Sequence, residues 1–512
     1  MADNFQQKGL AAGRLGLASS TVIGVASTAP MYSLAASLGF IVIAVGYQAP
    51  IALILGFVPM LLTALAYREL NEEVPDSGTV FTWGAKAFGP QTGWIAGWGV
   101  IVAGVFAMAN QTQIAALYFW LFLGRDDLAH SKPVLILTGV AIIGLTTWIS
   151  YRNIEAGSVT QWLLVGLQYL AMALLAAGIF AALSSGAAQG EAFSMAWFNP
   201  VEADFNSLIQ AILIAIFIYW GWDTCLAITE ETKDPHKTPG RAALLSSSIL
   251  VVTYVFVTVL ALAYAGAGTE GIGLANPENS DDVFTPFKDA LLGSWGWALL
   301  LAVSVSALAT CQTTILPSSR GIFAMAVYRA LPAKFGDVHP RFKTPRTATV
   351  YMGISSALFY GLMTLISENM LADTIEASGV AVALYYAISS FACIRYFRGR
   401  IFTSARNVFF RLVCPLAGGL LMTAILLVSL YNMLDPEYGA TQILGTSGVF
   451  VTAVVSFALG FVLMLVCMGQ ADLRPFFEGR SLNMQTQVKV PETHDLQEVP
   501  GLVSEQSAQD RP

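Results

Sequence analysis

The chain has 512 residues, of which 55% are hydrophobic and 12% charged, with a formal net charge of −7. Soluble domains carry about 25% charged residues, so this composition excludes a string of soluble domains and points to an all-α integral membrane protein with one helical bundle. The net charge itself predicts little, because the placement of charges along the chain matters more than their sum.

A short polar amino terminus (1–16) precedes the first apolar run. That run lacks a short apolar core followed by a cleavage site, so it is expected to be a first membrane span and not a signal peptide. A spanning helix needs about 20 mostly apolar residues. Twelve stretches qualify: 17–45, 49–67, 92–123, 134–150, 159–183, 208–228, 244–264, 294–324, 347–366, 373–394, 410–433 and 447–468. The fourth is the shortest. The segment 471–512 is polar and Gln-rich, and a disordered cytoplasmic tail is expected there.

Lys and Arg test this division. With the amino terminus in the cytoplasm, 23 of the 26 basic residues fall on the inside, and only Arg125, Lys132 and Lys288 lie outside. The outer segments are acidic instead, with Asp126, Asp127, Glu191, Glu202 and Asp204. Such a bias fixes orientation in polytopic proteins. It predicts a multi-pass protein of the plasma membrane with both termini cytoplasmic, and losing one span would scramble it.

Two spans are interrupted. The first contains Gly24-Val-Ala-Ser-Thr-Ala-Pro30, and the sixth contains Trp220-Gly221-Trp222-Asp223-Thr224. Five spans per repeat would insert the second copy upside down, and broken helices at matching places of inverted halves point to a transporter binding site. In the first break Pro30 has no N–H and obstructs the carbonyl one turn back. Gly24, Ala26, Ser27 and Ala29 permit close approach, and the helix resuming near Met31 would offer N–H groups to a carboxylate. The competing reading is a proline kink with small residues for helix packing. In the second break the carbonyls of Ile218, Tyr219 and Trp220 would be free to accept from an ammonium group. Tyr219, Trp220 and Trp222 would form an aromatic wall or simply pack in the core. Asp223, the one acidic residue placed deep in a span, is a functional candidate by its depth, or with Thr224 a cap for the restarted helix.

Other polar groups at membrane depth are weaker candidates. Asn110-Gln111-Thr112-Gln113 interrupts the third span, Gln168 lies in the fifth, and Thr310, Gln312, Thr313 and Thr314 cluster in the eighth. Hydrogen bonds between helices explain most such residues. The five cysteines lie within or beside apolar runs and are expected to be small core residues. The four histidines lie in loops or the tail. No His, Cys and carboxylate set has metal-ligand spacing, so no cofactor or metal is expected, and nothing suggests a nucleic-acid partner. An intramembrane enzyme would need a nucleophile–base pair or a metal cluster, and neither is found at membrane depth.

Three motifs carry a resemblance. They are Pro75-Asp-Ser-Gly78 with Phe81-Thr-Trp83, Phe88-Gly89 and Gly93-Trp-Ile-Ala-Gly-Trp98; Gly221-Trp-Asp223 with Glu230-Glu231-Thr-Lys-Asp234-Pro235 and Pro239; and Ser319-Arg320, Ala324-Met325, Leu331-Pro332 and Lys343-Thr-Pro345. From 17 to 468 the chain resembles the amino acid–polyamine–organocation permeases, and GWDT and KTPGRA resemble members common in actinobacteria. The resemblance implies a leucine-transporter-like fold. Residues 17–183 and 207–397 would form a five-plus-five inverted repeat, and 410–468 two peripheral helices. It implies an amino acid or amine held between helices 1, 6, 3 and 8 and moved by alternating access. Ser27, Thr28 and Ala29 would face the substrate carboxylate, and Ile218 to Trp220 its amino group. The implied partners are the bilayer and a proton or sodium co-substrate, in a monomer or weak oligomer. Coupling departs from the family pattern. Gln168 stands where some proton-linked members have a lysine, and of the two helix-eight hydroxyls of sodium-linked relatives, Thr310 is present and Ala309 is not. Asp223 is left as a candidate proton carrier. The alternatives are a polyamine or organic-cation permease, and a nutrient receptor built on the same fold; a channel would fit the helix count but not the paired breaks.

Overall fold

The computed structural model describes residues 8–488, apart from 153, 281, 368, 369, 437, 439, 440 and 444. The expectations for residues 1–7 and 489–512 lie outside the described residues. The helices are α1 (Leu17–Ser27), α2 (Pro30–Val45), α3 (Ala49–Glu73), α4 (Val80–Phe88), α5 (Pro90–Phe122), α6 (Asp126–Ala129), α7 (Lys132–Arg152), α8 (Ile154–Ser185), α9 (Phe205–Ile218), α10 (Thr224–Ala227), α11 (Thr238–Ala265), α12 (Thr285–Leu292), α13 (Trp297–Val327), α14 (Arg346–Ile366), α15 (Met370–Phe397), α16 (Ala405–Val408), α17 (Cys414–Asn432), α18 (Gly448–Gly469) and α19 (Arg474–Phe477). A two-residue antiparallel ladder, Gln442–Ile443 with Thr446–Ser447, precedes α18.

Among the described residues, ten stretches are long and apolar enough to cross a membrane, so this is a multi-pass membrane protein. One of them, Leu17–Glu73, is 57 residues long and contains α1, α2 and α3. At 1.5 Å per residue this is far more than one crossing of an apolar layer about 30 Å thick. Phe205–Ile218 is shorter and also apolar.

The interior is built on α5 and α13, whose most apolar windows are 78% and 83% buried; those of α17 and α18 are 28% and 22% buried. Small residues let α5 and α13 approach closely, the usual basis of helix packing where lipid offers no hydrophobic drive. A Cβ on Gly104 would collide with the Ser318 hydroxyl. The thiols of Cys225, Cys311, Cys393, Cys414 and Cys467 are free and buried.

Two expectations are corrected. The third span is not interrupted at 110–113, because α5 runs unbroken from Pro90 to Phe122. There Tyr32 donates to Asn110 and Thr314 to Gln111, so both amides are used between helices without breaking one. The tail is not disordered from 471 onward. Residues 471–488 pack on the body, where Leu473, Phe476 and Leu482 are buried and Phe476 stacks on Phe81. Lys86 donates to the Thr486 carbonyl at 2.5 Å, and Ser481 to that of Tyr328 at 2.7 Å.

Candidate functional site

Both expected breaks exist. α1 stops at Ser27 and α2 starts at Pro30, with Ala29 between them at φ 46°. Proline at the first helical position loses no needed N–H, so it ends one helix and begins the next. Thr28 turns its hydroxyl back onto the Val25 carbonyl (2.8 Å), and Ser33 donates to the Thr28 carbonyl (2.6 Å). α9 stops at Ile218 and the helix restarts at Thr224, with Gly221 at φ 122°. Asp223 occupies the cap position of α10 without a side-chain cap, which corrects that reading of it. Its φ of −67° and ψ of −15° are already helical, whereas a capping side chain needs extended backbone.

The breaks touch. A Cβ on Gly221 would lie 2.7 Å from the Ser27 carbonyl carbon. Beside this contact is a small cavity, about the size of a water molecule. Its polar lining is Ser27, Asp223, Thr224, Thr314, Ser318 and Tyr385, and Trp220, Val100, Pro317 and the two glycines Gly104 and Gly221 complete it. The Tyr385 hydroxyl accepts from Trp220 Nε1 (2.5 Å) and donates to Asp223 Oδ2 (3.1 Å). The Ser27 hydroxyl is buried without a partner. The cavity wall thus has one carboxylate, several hydroxyls and no basic side chain, a lining that suits a group carrying N–H donors or positive charge.

The structure brings together only part of the candidate set. Ser27, Trp220, Gly221 and Asp223 line this cavity. Ala26 is fully buried, and its carbonyl accepts from Thr310 at 2.6 Å. Thr28 and Ala29 shape the break. Asn110 accepts from Tyr32 at 2.9 Å and is not on the cavity wall. The Ile218 carbonyl accepts from Tyr254 at 2.9 Å, while those of Tyr219 and Trp220 accept no hydrogen bond among the described residues. The Tyr219 ring faces α3, packs on Phe57 and donates to Leu53. Trp222 is buried between Tyr67 and Tyr386. Gln168 is fully buried with no partner for its amide. Gln161 of α8 donates to the Ala309 carbonyl (3.0 Å) and to Gln312 (2.9 Å) of α13, beside a second small cavity. At the α1–α13 junction, therefore, the Ala26 and Ala309 oxygens are held by side-chain donors.

Sequence reasoning missed Tyr385 and Ser318. The pair Tyr385-Tyr386 in the tenth span was the available signal, and nothing in the pattern tied it to Asp223, 162 positions away. It also missed two charged networks on the side of the molecule that bears Lys8. Lys8 reaches Asp76 at 2.6 Å and Glu230 at 2.5 Å, and Tyr328 donates to Asp76 at 2.5 Å. Burial opposes the charge on Lys8, but the two carboxylates outweigh it and hold its pKa above the ordinary lysine value. Burial likewise opposes ionisation of Asp76, yet Lys8 and Tyr328 pull its pKa below the usual carboxylate range; burial wins at Glu230 and raises it. Next to them Arg320 grips Glu231 with two bonds of 2.7 Å, both side chains buried. The Glu231 carbonyl accepts from Arg14 and Leu15, and Leu15 pairs with Thr232 in a short parallel bridge. Among the described residues, no group of three His, Cys, Asp or Glu side chains is placed to hold a metal ion.

Comparison with known proteins agrees with this architecture. The chain is 27% identical over 385 residues to an uncharacterised transporter of Mycobacterium tuberculosis, covering 74% of this chain and 79% of the relative. It is 27% identical over 355 residues to the human large neutral amino acids transporter small subunit 2, covering 67% of this chain and 62% of that protein. It is 22% identical over 380 residues to the low-affinity putrescine importer PlaP of Escherichia coli, covering 73% and 80%. These relatives are transporters and not enzymes. The amino acid permease family matches residues 15–466, which is most of the chain, and the protein belongs to that family.

Proposed function

We propose that the protein is a secondary-active transporter of amino acids or closely related amines in the plasma membrane, holding substrate where the break between α1 and α2 meets the break between α9 and α10. The observation that carries this reading is Asp223, a carboxylate on the wall of a cavity formed at the contact of Ser27 with Gly221. The free carbonyls of Tyr219 and Trp220 lie on the same break, where the amino group of a substrate would be met. Splitting Leu17–Glu73 into two spans and joining α9 with α10 gives twelve spans. The first break then lies five spans before the second, the placement expected of a five-plus-five inverted repeat with α17 and α18 outside it. The charge bias puts the face bearing Lys8 and Arg320 in the cytoplasm. Its two ionic networks would then have to open for substrate to leave inward, as alternating access requires.

A second reading is favoured by one observation. Asp223 faces the cavity and no basic side chain does, which suits a substrate with more amino than carboxyl groups. A diamine or another organic cation fits that balance, and a putrescine importer is among the relatives.

The test is uptake into proteoliposomes of labelled neutral amino acids, basic amino acids and diamines, at two pH values, with and without sodium. Saturable uptake of at least one class, lost in Asp223→Asn for the cationic ones, is expected. If the wild-type protein moves none of them and Asp223→Asn changes nothing in cells, the reading is wrong. Transport that persists in Asp223→Asn but loses its pH dependence would make Asp223 a coupling group instead of a substrate ligand.

A further inference from the structure

The link between α15 and α17 carries more positive charge than the protein neutralises. Arg395, Arg398, Arg400, Arg406 and Arg411 fall within residues 395–411, and no acidic residue is among them. α3 supplies acids for part of the set. Glu69, fully buried, accepts from Arg406 at 2.6 Å and Arg411 at 2.8 Å, and also from its neighbour Arg68. Glu73 takes Arg400 at 2.8 Å. Arg395 and Arg398 are left over. Nη1 of Arg395 is buried with no partner, and Arg398 is exposed and makes no ion pair among the described residues. A guanidinium N–H withdrawn from water needs an acceptor, and an anionic oxygen is the strongest one. Arg395 lies in the last turn of α15 and Arg398 just past its end.

The position of the link limits what can supply that oxygen. Only residues 398–404 separate two membrane-length helical stretches, Asp373–Phe397 and Ala405–Asn432, so the link lies at the bilayer surface. Two of its aromatic side chains point outward, Phe402 at 80% exposure and Phe409 at 51%. Bare phenyl rings are unfavourable in water and favourable where a ring can enter the apolar boundary of a bilayer. Arginines beside outward phenylalanines present two surfaces, one for a phosphate and one for the carbon chains attached to it.

We propose that residues 395–411 form a binding site for the headgroup of an anionic phospholipid, with Arg395 and Arg398 taking the phosphate and Phe402 and Phe409 entering the acyl region. This assignment is independent of the transported substrate. It rests on membrane location and on an imbalance of charge at one place on the surface.

Native mass spectrometry of the purified full-length protein titrated with phosphatidylglycerol or phosphatidylcholine tests it. The wild type should retain phosphatidylglycerol about tenfold or more over phosphatidylcholine, the scale expected for two arginines at an anionic surface. Arg395→Gln with Arg398→Gln should bring that ratio near one. Lys334→Gln with Arg341→Gln removes the same charge from another loop of the same basic face and should leave the ratio intact. Phe402→Ser with Phe409→Ser changes no charge and should also lower retention, which keeps the test available if the arginine variant does not fold. Soluble glycerophosphate should not compete. Equal retention of the two lipids overturns the proposal. So does an equal fall in the Lys334 and Arg341 variant, which would make the attraction diffuse, and so does competition by glycerophosphate, which would make this a site for small anions.

Discussion

Gly221 is seated against the carbonyl of Ser27, so the two helix breaks meet backbone to backbone. A side chain at 221 would collide with that carbonyl, and its φ of 122° is one that residues with a Cβ rarely adopt. Gly221→Ala should cost about 1–3 kcal/mol of stability from backbone strain alone and should lower uptake by pushing the two breaks apart. Thermal melting in detergent and uptake into proteoliposomes measure the two effects. Wild-type transport by Gly221→Ala would mean that the contact is not part of the site.

Tyr385 positions the Asp223 carboxylate and is itself held by Trp220. A hydrogen bond to a charged group contributes about 1.5–3 kcal/mol. Tyr385→Phe should therefore raise KM about tenfold to a hundredfold, with a smaller change in kcat. An unchanged KM for every transported substrate would remove Tyr385 from the site.

Lys8 holds two buried carboxylates, Asp76 and Glu230. The pKa of Asp76 is lowered, so its contribution is present above the ordinary carboxylate value and is lost only as pH falls through the lower, folded value. The pKa of Lys8 is raised, so its contribution is full below the ordinary lysine value and is lost as pH climbs past the folded one. Glu230 has the opposite sign to Asp76, because its raised pKa makes protonation on acidification favourable to the folded state. Lys8→Ala leaves two buried carboxylates without their ion-pair partner. It should cost about 3–5 kcal/mol near neutral pH, the scale of a broken buried pair, and the loss should shrink as pH falls and one carboxylate takes a proton. Melting curves across a pH series show this, and a loss independent of pH would contradict it.

Arg320 and Glu231 form a two-bond pair with 1% and 0% of their side chains exposed. Removing one partner strands a buried charge. Arg320→Met and Glu231→Gln should each destabilise by about 3–5 kcal/mol, while the double variant should recover part of the loss. A double-mutant cycle in thermal stability checks this, and additive losses would show that the two side chains act independently.

The packed part of the tail should matter. Phe476→Ala should cost about 3–5 kcal/mol as a buried aromatic and should make the 471–488 segment more sensitive to limited proteolysis. Equal protease resistance in the two proteins would show that the segment does not depend on Phe476.

The sequence alone determined the helices, the two breaks and the acid between them. A bilayer forces backbone hydrogen bonds to close within each segment, so apolar length reports helices, and glycine or proline at that depth reports an interruption. It could not determine which side of each helix meets the cavity. Segments that are apolar all round carry no facial signal, so lipid-facing and cavity-facing positions look alike. Only packing turned Trp220 into the cavity while burying Tyr219 against Phe57 and Trp222 against Tyr67. Packing also filled the Ile218 carbonyl with the Tyr254 hydroxyl, brought Tyr385 to Asp223 and docked Phe476 on Phe81. Each of these depends on partners far apart in the chain, and no local periodicity records them.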